Sequence, residues 1–145
     1  MTPMSLPAWL YTDQRFFELE REKVFAQAWH IVGHINDAPN TGDYLTLDVL
    51  GERIVTVRGE DNILRSFHNV CRHRAGKIAG EARGSCGRRL VCPYHAWSYK
   101  LDGSFAGAPK WQGFEGLDAS KLGLKPVDQE IAYGFIFVRL ERTLP

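Results

Sequence analysis

Two short motifs hold most of the chemistry this chain could perform. Cys71-Arg72-His73 and Cys92-Pro93-Tyr94-His95 each offer a thiolate and an imidazole two or three residues apart, with 18 residues between His73 and Cys92. That spacing lets a tight loop aim both side chains at one point. Two such loops facing each other make a site with two sulfur and two nitrogen donors. Two metal centres take this donor set. Zinc binds it tetrahedrally, usually with the two cysteines first and the two histidines on a following helix. A [2Fe–2S] cluster of mixed ligation takes two cysteines on one iron and two histidines on the other. The interleaved order Cys, His, Cys, His suits the cluster, because each loop then bridges both irons.

The cluster alternative has a definite electrochemistry. Two ferric ions, two sulfides, two thiolates and two neutral imidazoles sum to zero charge, and one added electron makes the whole −1. An all-cysteine cluster starts at −2, so imidazole ligation makes the electron easier to add and lifts the potential into a range of about −150 to +300 mV. The ring nitrogens not bound to metal stay available as donors toward a partner. Near the ligands, Pro93 stiffens the second loop and Trp97 anchors it. Tyr99, four residues after His95, is placed to donate toward a sulfur. The competing reading of Trp97 and Tyr99 is plain hairpin core.

The remaining reactive side chains do not assemble into a second site. Cys86, in Gly84-Ser85-Cys86-Gly87, matches neither motif and reads as a small loop thiol. His30, His34 and His68 have no carboxylate placed to complete a two-histidine, one-carboxylate iron triad. Ser85 sits in no nucleophile elbow, so hydrolase chemistry has no support.

Charge is unevenly spread. The chain of 145 residues has a net charge of +1. Residues 71–95 carry Arg72, Arg74, Lys77, Arg83, Arg88 and Arg89 against Glu81 alone, a local net of +5 that coincides with every cysteine. No aromatic residue stands between His73 and Tyr94, which argues against a nucleic-acid surface. A basic surface beside a centre that becomes anionic on reduction favours an acidic redox partner instead. Three cysteines are too few for a disulfide scaffold. The composition, 44% apolar and 24% charged, is that of an ordinary globular domain. With neither a signal-peptide pattern nor an apolar run long enough to cross a membrane, the expectation is a cytoplasmic protein without membrane contact.

The elements that must position these loops are mostly strands. After a proline-containing lead-in, Thr12 or Asp13 caps a helix expected to reach Trp29, with Phe17, Val24, Phe25, Ala28 and Trp29 on one side. From His30 the period changes. Ile31–Ile35, Asp43–Leu50, Arg53–Arg58, Ile63–Asn69, Arg89–Val91 and Trp97–Leu101 read as short strands between turn signals, an antiparallel β pattern. Asp102-Gly103 forms a tight turn toward Phe105. Residues 106–126 read as a long loop with a helical turn at Asp118–Leu122, and Ile131–Leu140 as one apolar strand central in a sheet. The chain stops at Pro145, soon after that strand, which suggests the front part of something longer.

Taken together, Phe67-His68-Asn69-Val70-Cys71-Arg72-His73-Arg74-Ala75-Gly76, Leu90-Val91-Cys92-Pro93-Tyr94-His95-Ala96-Trp97-Ser98-Tyr99 and Leu101-Asp102-Gly103 resemble the N-terminal Rieske domain of ring-hydroxylating oxygenase α subunits. The helix ending at Trp29 and the following Val32-Gly33-His34 are similar to that family too. The family usually has glycine where Ala75 or Ala96 stands, and the interval between the motifs is long, pointing to an extended loop around Gly80–Gly87.

The resemblance implies a mainly β fold. A helical lead-in over residues 1–30 precedes an antiparallel Rieske-type β-sandwich over 31–145, with a cluster-binding subdomain of two ligand loops at about 68–105. It implies a Rieske [2Fe–2S] cluster with Cys71 and Cys92 on the inner iron and His73 and His95 on the outer one. Arg74, Pro93, Tyr94, Trp97 and Tyr99 surround them. High-potential respiratory Rieske proteins have an extra cysteine in each loop and a serine two residues after the second histidine. Gly76, Tyr94 and Trp97 stand there instead, so the lower-potential oxygenase-like form is expected.

The implied partners are a reductase or ferredoxin as donor and, as acceptor, a mononuclear iron in a catalytic domain of the same or a neighbouring subunit of a trimer. That iron and its domain are expected outside this chain. Two rivals stand beside this reading: a free-standing Rieske-type ferredoxin, which the long N-terminal helix disfavours, and a structural zinc domain.

Overall fold

The computed structural model describes residues 5–114 and 116–140. Residues 1–4 of the lead-in and the five residues after Leu140 lie outside that range. One α-helix and ten strands follow in order: α1 (Gln14–Lys23), β1 (Trp29–His34), β2 (Asp43–Val49), β3 (Glu52–Arg58), β4 (Leu64–His68), β5 (Arg83–Ser85), β6 (Arg89–Val91), β7 (Ser98–Lys100), β8 (Phe105–Gly107), β9 (Asp128–Ala132) and β10 (Phe135–Arg139). They form three antiparallel sheets with strand orders β1-β10-β9, β4-β3-β2-β5 and β6-β7-β8.

The helix begins as expected and ends early. Asp13 caps it, its carboxylate accepting from the Phe16 N–H at 2.7 Å. The run to Trp29 is not made. The α-helix stops at Lys23 with Val24 as its C-cap, Phe25–Gln27 form a single 3-10 turn, Ala28 is extended, and Trp29 is already paired with Arg139 in the first sheet. The backbone of residues 29–34 finds its hydrogen bonds on β10, and that ladder overrides the helical spacing of the apolar side chains. No α1 side chain is buried.

The apolar run Ile131–Leu140 is likewise two strands. Tyr133 and Gly134, at φ 52° and 81°, occupy the two left-handed positions of a tight hairpin between β9 and β10. β10 is nevertheless central, with Ile136 and Val138 fully buried between β1 and β9. β5 was not expected: three residues of the Gly-rich interval pair with the edge of β2, too few to show a period in sequence. The helical turn near Asp118 forms as a 3-10 turn, Ala119–Lys121, capped by the Asp118 carboxylate.

The largest core gathers around the ligand loops. Val55, Val57, Phe67, Leu90, Trp97, Tyr99 and Leu124 pack together, and Cys71 and Cys92 are part of this cluster. A buried polar chain ties two sheets together behind it: Thr56 and Ser66 share a 2.6 Å hydrogen bond, Ser66 donates to Gln129, and Gln129 donates to the Leu64 carbonyl. Every buried side-chain donor and acceptor among the described residues has a partner. No helix among them is long and apolar enough to cross a membrane.

Candidate metal centre

The two ligand loops close in the same way. In the first, the Cys71 N–H donates to the Gly76 carbonyl at 2.9 Å and the Ala75 N–H to the Cys71 carbonyl at 3.0 Å. In the second, Cys92 donates to Trp97 at 2.8 Å and Ala96 to Cys92 at 3.0 Å. Each turn passes through a left-handed residue four positions after its cysteine, Ala75 at φ 55° and Ala96 at φ 54°. That conformation favours glycine, because a Cβ there crowds the backbone. It accounts physically for the glycine usual in the resembling family.

The loops face each other through their functional side chains. The Cys71 and Cys92 thiols adjoin, each residue only 3% exposed. The His73 and His95 rings lie 4.8 Å apart between centroids, His73 half-buried and His95 exposed. Further contacts cross between the loops. His73 stacks on Trp97 at 4.8 Å and 12°, and the Arg74 guanidinium sits 5.8 Å over the Tyr94 ring. Tyr94 in turn covers His95 at 3.9 Å. Pro93, the turn residue of the second loop, is exposed.

Tyr99 is fully buried beneath the first loop. Its hydroxyl accepts from the Arg72 N–H at 2.9 Å and lies 3.2 Å from Cys71 Sγ. With Cys71 as a thiolate, the phenol is the donor of that bond. Burial pushes the Tyr99 pKa up, so the hydroxyl keeps the proton it donates.

Burial also raises the Cys92 pKa, opposed by the N–H groups of Tyr94 and His95 directed at its sulfur. Two adjoining buried thiols ionise poorly without a cation, which a metal supplies. His73 is shifted the other way: burial first, then His95 and Arg74, lower its pKa and favour the neutral imidazole that binds metal.

Paired thiols and paired imidazoles fit two irons with two protein ligands each. The donor set and its pairing therefore suit a mixed-ligand [2Fe–2S] group.

Sequence patterns left three contributors unassigned. Trp111 and Phe114, in what reads as a loop, form an aromatic wall: Trp111 packs on Phe105 and Trp97, and Phe114 meets Trp97 and the edge of His73. They sit in an irregular segment around a 3-10 turn, which carries no period to read. Asn69 is fully buried two residues before Cys71. Its carboxamide oxygen accepts from the Ile78 and Ala79 N–H groups, and its nitrogen donates to the Ala79 carbonyl, tying down the chain that leaves the first loop.

The other candidates lie elsewhere. Cys86 donates to the Gly42 carbonyl at 3.2 Å, and burial raises its pKa. His30 bonds the Phe25 carbonyl, and His34 accepts from the Asn36 N–H and packs on Phe135. His68 Nδ1 lies 3.4 Å from a Glu52 carboxylate oxygen.

Comparison with known proteins agrees with this geometry. The sequence model of the Rieske [2Fe-2S] domain matches residues 28–119, which include both loops. The chain is 44% identical over 138 residues to the carnitine monooxygenase oxygenase subunit of Escherichia coli K12, covering 94% of this chain and 36% of that protein. It is 43% identical over 141 residues to the glycine betaine monooxygenase oxygenase subunit of Chromohalobacter salexigens, covering 97% and 31%. The chain thus spans about a third of the length of these curated relatives. Among solved structures, the quaternary ammonium Rieske monooxygenase CntA superposes with a TM-score of 0.88 at 37% identity, over 97% of this chain and 39% of that one. A naphthalene 1,2-dioxygenase superposes at 0.83 with 30% identity, over 94% and 31%.

Proposed function

The chain belongs to the Rieske [2Fe–2S] domain family, and on that footing we propose that it relays single electrons as the front part of an oxygenase α subunit, from a reductase or ferredoxin toward a mononuclear non-haem iron in a catalytic domain of the same or a neighbouring subunit. The observation that carries this is the convergence of Cys71 with Cys92 and of His73 with His95 on two loops of matching geometry inside the family-matched stretch. These four residues are the ligands in this reading, and about 68–105 is the cluster-binding subdomain within a domain starting near residue 31. When bound, the cluster supplies a reversible one-electron couple.

The chain's own residues set the conditions for that couple. Tyr99 and the N–H groups of Tyr94 and His95 offset negative charge on the sulfurs. Trp97 and Phe114 cover part of the His73 ring, backed by Phe105 and Trp111. The exposed His95 ring faces outward, where an acceptor can approach.

Two relatives are named for carnitine and glycine betaine, both quaternary ammonium compounds, and are 44% and 43% identical. The relative named for 2-aminobenzenesulfonate is 33% identical. These identities support a parent enzyme that acts on quaternary ammonium substrates. A trimeric assembly in the cytoplasm completes the proposal.

The test is the purified protein itself. It should be red-brown, with about two irons and two acid-labile sulfides per chain. Cys71→Ser and His95→Ala should abolish the colour, while Cys86→Ser should keep it. A colourless protein holding stoichiometric zinc would overturn the reading.

A further inference from the structure

The six basic side chains of residues 71–95 separate into two groups in the folded chain. Lys77, Arg83 and Arg88 each lie near a carboxylate from outside the window: Asp48 at 3.5 Å, Asp37 at 3.9 Å and Glu60 at 3.7 Å. Arg72, Arg74 and Arg89 have no ion-pair partner among the described residues, and the first two flank His73. Arg72 and Arg74 line an open groove of about 880 Å³, with Cys71 and His73 also in its wall. Lys125 lines it too and is likewise without an ion-pair partner among the described residues.

Two carboxylates share this groove. Asp128 is held by Arg139 at 2.8 Å, and Glu52 faces His68 at 3.4 Å. Three uncompensated cations therefore outweigh one carboxylate, and a concave low-dielectric surface concentrates their field.

Resting on the electron-transfer reading above, we infer that this groove is the docking surface for an acidic electron-donating protein. Carboxylates of the donor meet Arg72, Arg74 and Lys125, which brings its redox centre against the Cys71–Gly76 loop. One electron leaves the reduced donor and one enters the centre held by the two loops, with no bond made or broken. Tyr94 and His95 line no part of the groove. A donor seated there leaves the exposed His95 ring open to the acceptor, so entry and exit use different faces. The cations that matter are those beside the first ligand loop, not Arg83 or Arg88, whose fields are already spent on Asp37 and Glu60.

The probe is an oxidised plant-type [2Fe–2S] ferredoxin, an acidic one-electron carrier, titrated calorimetrically into the cluster-loaded protein at low and high salt. Lys125→Glu and the double variant Arg72→Gln/Arg74→Gln should each weaken binding about tenfold at low salt and flatten its salt dependence. Arg83→Gln/Arg88→Gln removes as much charge and should change binding less than twofold. Zero-length carbodiimide coupling, read by mass spectrometry, should join Lys125 to a ferredoxin carboxylate. Equal weakening by both double variants, or unchanged binding by Lys125→Glu, overturns the assignment. The visible spectrum and the rate of dithionite reduction are recorded for every variant. A protein that lacks the spectrum fails the electron-transfer reading, and one that keeps it but binds independently of Lys125 fails only the docking surface.

Discussion

Asn69 shows how much a single side chain can carry when it is placed at the root of a ligand loop. Its carboxamide satisfies three main-chain groups of Ile78 and Ala79 in a site without solvent. Asn69→Ala keeps the fold's apolar packing but leaves two N–H groups and one carbonyl buried without partners. Such groups cost roughly 1–3 kcal/mol each, partly relieved by local rearrangement, so a loss of about 3 kcal/mol is expected. Urea unfolding of the loaded protein reads it, and a loss below about 1 kcal/mol would show that water replaces the carboxamide. The left-handed alanines work in the opposite sense. Ala75 and Ala96 spend some stability to close the loops as tightly as glycine would, at φ 55° and 54°.

At the scale of elements, the β3–β4 hairpin joins the first core strands to the first ligand loop. Its turn is held by Asp61, whose carboxylate accepts from both terminal nitrogens of Arg65 at 2.9 and 2.6 Å and from the Ile63 N–H. Arg65 and that N–H lower the Asp61 pKa to about 2. A carboxyl depressed on folding stabilises the native state above its unfolded value, near 4, and the contribution is lost as pH falls through about 2. The urea midpoint of the wild type should therefore fall more between pH 4 and 2 than that of Asp61→Asn, all other acid effects being common to both. Parallel curves would mean that the Asp61–Arg65 pair is equally formed in the unfolded chain. Asp61 and Arg65 form their pair at the surface, so the effect is modest and should shrink with added salt.

At the scale of the whole molecule, the described surface carries many large exposed apolar side chains. Trp9, Tyr11, Phe17, Val24 and Phe25 around the helix, and Trp29, Ile31 and Phe135 on the outward face of the β1-β10-β9 sheet, are all exposed. Tyr133, 99% exposed, stands at the tip of the β9–β10 hairpin, two residues before Phe135. Surfaces of this kind associate when uncovered. The isolated 145-residue chain is expected to self-associate at micromolar concentration in sedimentation velocity. Ile31→Lys with Phe135→Lys should shift it toward monomer without loss of colour, since both lie exposed on the β1-β10-β9 sheet, which holds neither ligand loop. A chain that stays monomeric throughout would show that these side chains are too scattered to form one adhesive patch.

The sequence by itself determined the candidate donor set and most of the strand content. The proposed donor set is a local property: Cys71, His73, Cys92 and His95 stand out because a tight loop imposes fixed short spacings, and β-branched runs between turn residues announce strands. The tight turn at Asp102-Gly103 and the cap at Asp13 were legible for the same reason, each being settled within four residues. What only the tertiary structure decided involves partners far apart in the chain. Trp29 becomes strand because Arg139 lies beside it, whatever the helical spacing before it suggests. The Ile131–Leu140 run folds back at Tyr133-Gly134 because both halves find buried neighbours as a hairpin. Trp111 and Phe114 join the wall beside His73 across an irregular segment with no period to reveal them. The basic window could be counted in the sequence, but its division could not. Asp48, Asp37 and Glu60 reach Lys77, Arg83 and Arg88 only in three dimensions, leaving Arg72 and Arg74 uncompensated beside the first ligand loop.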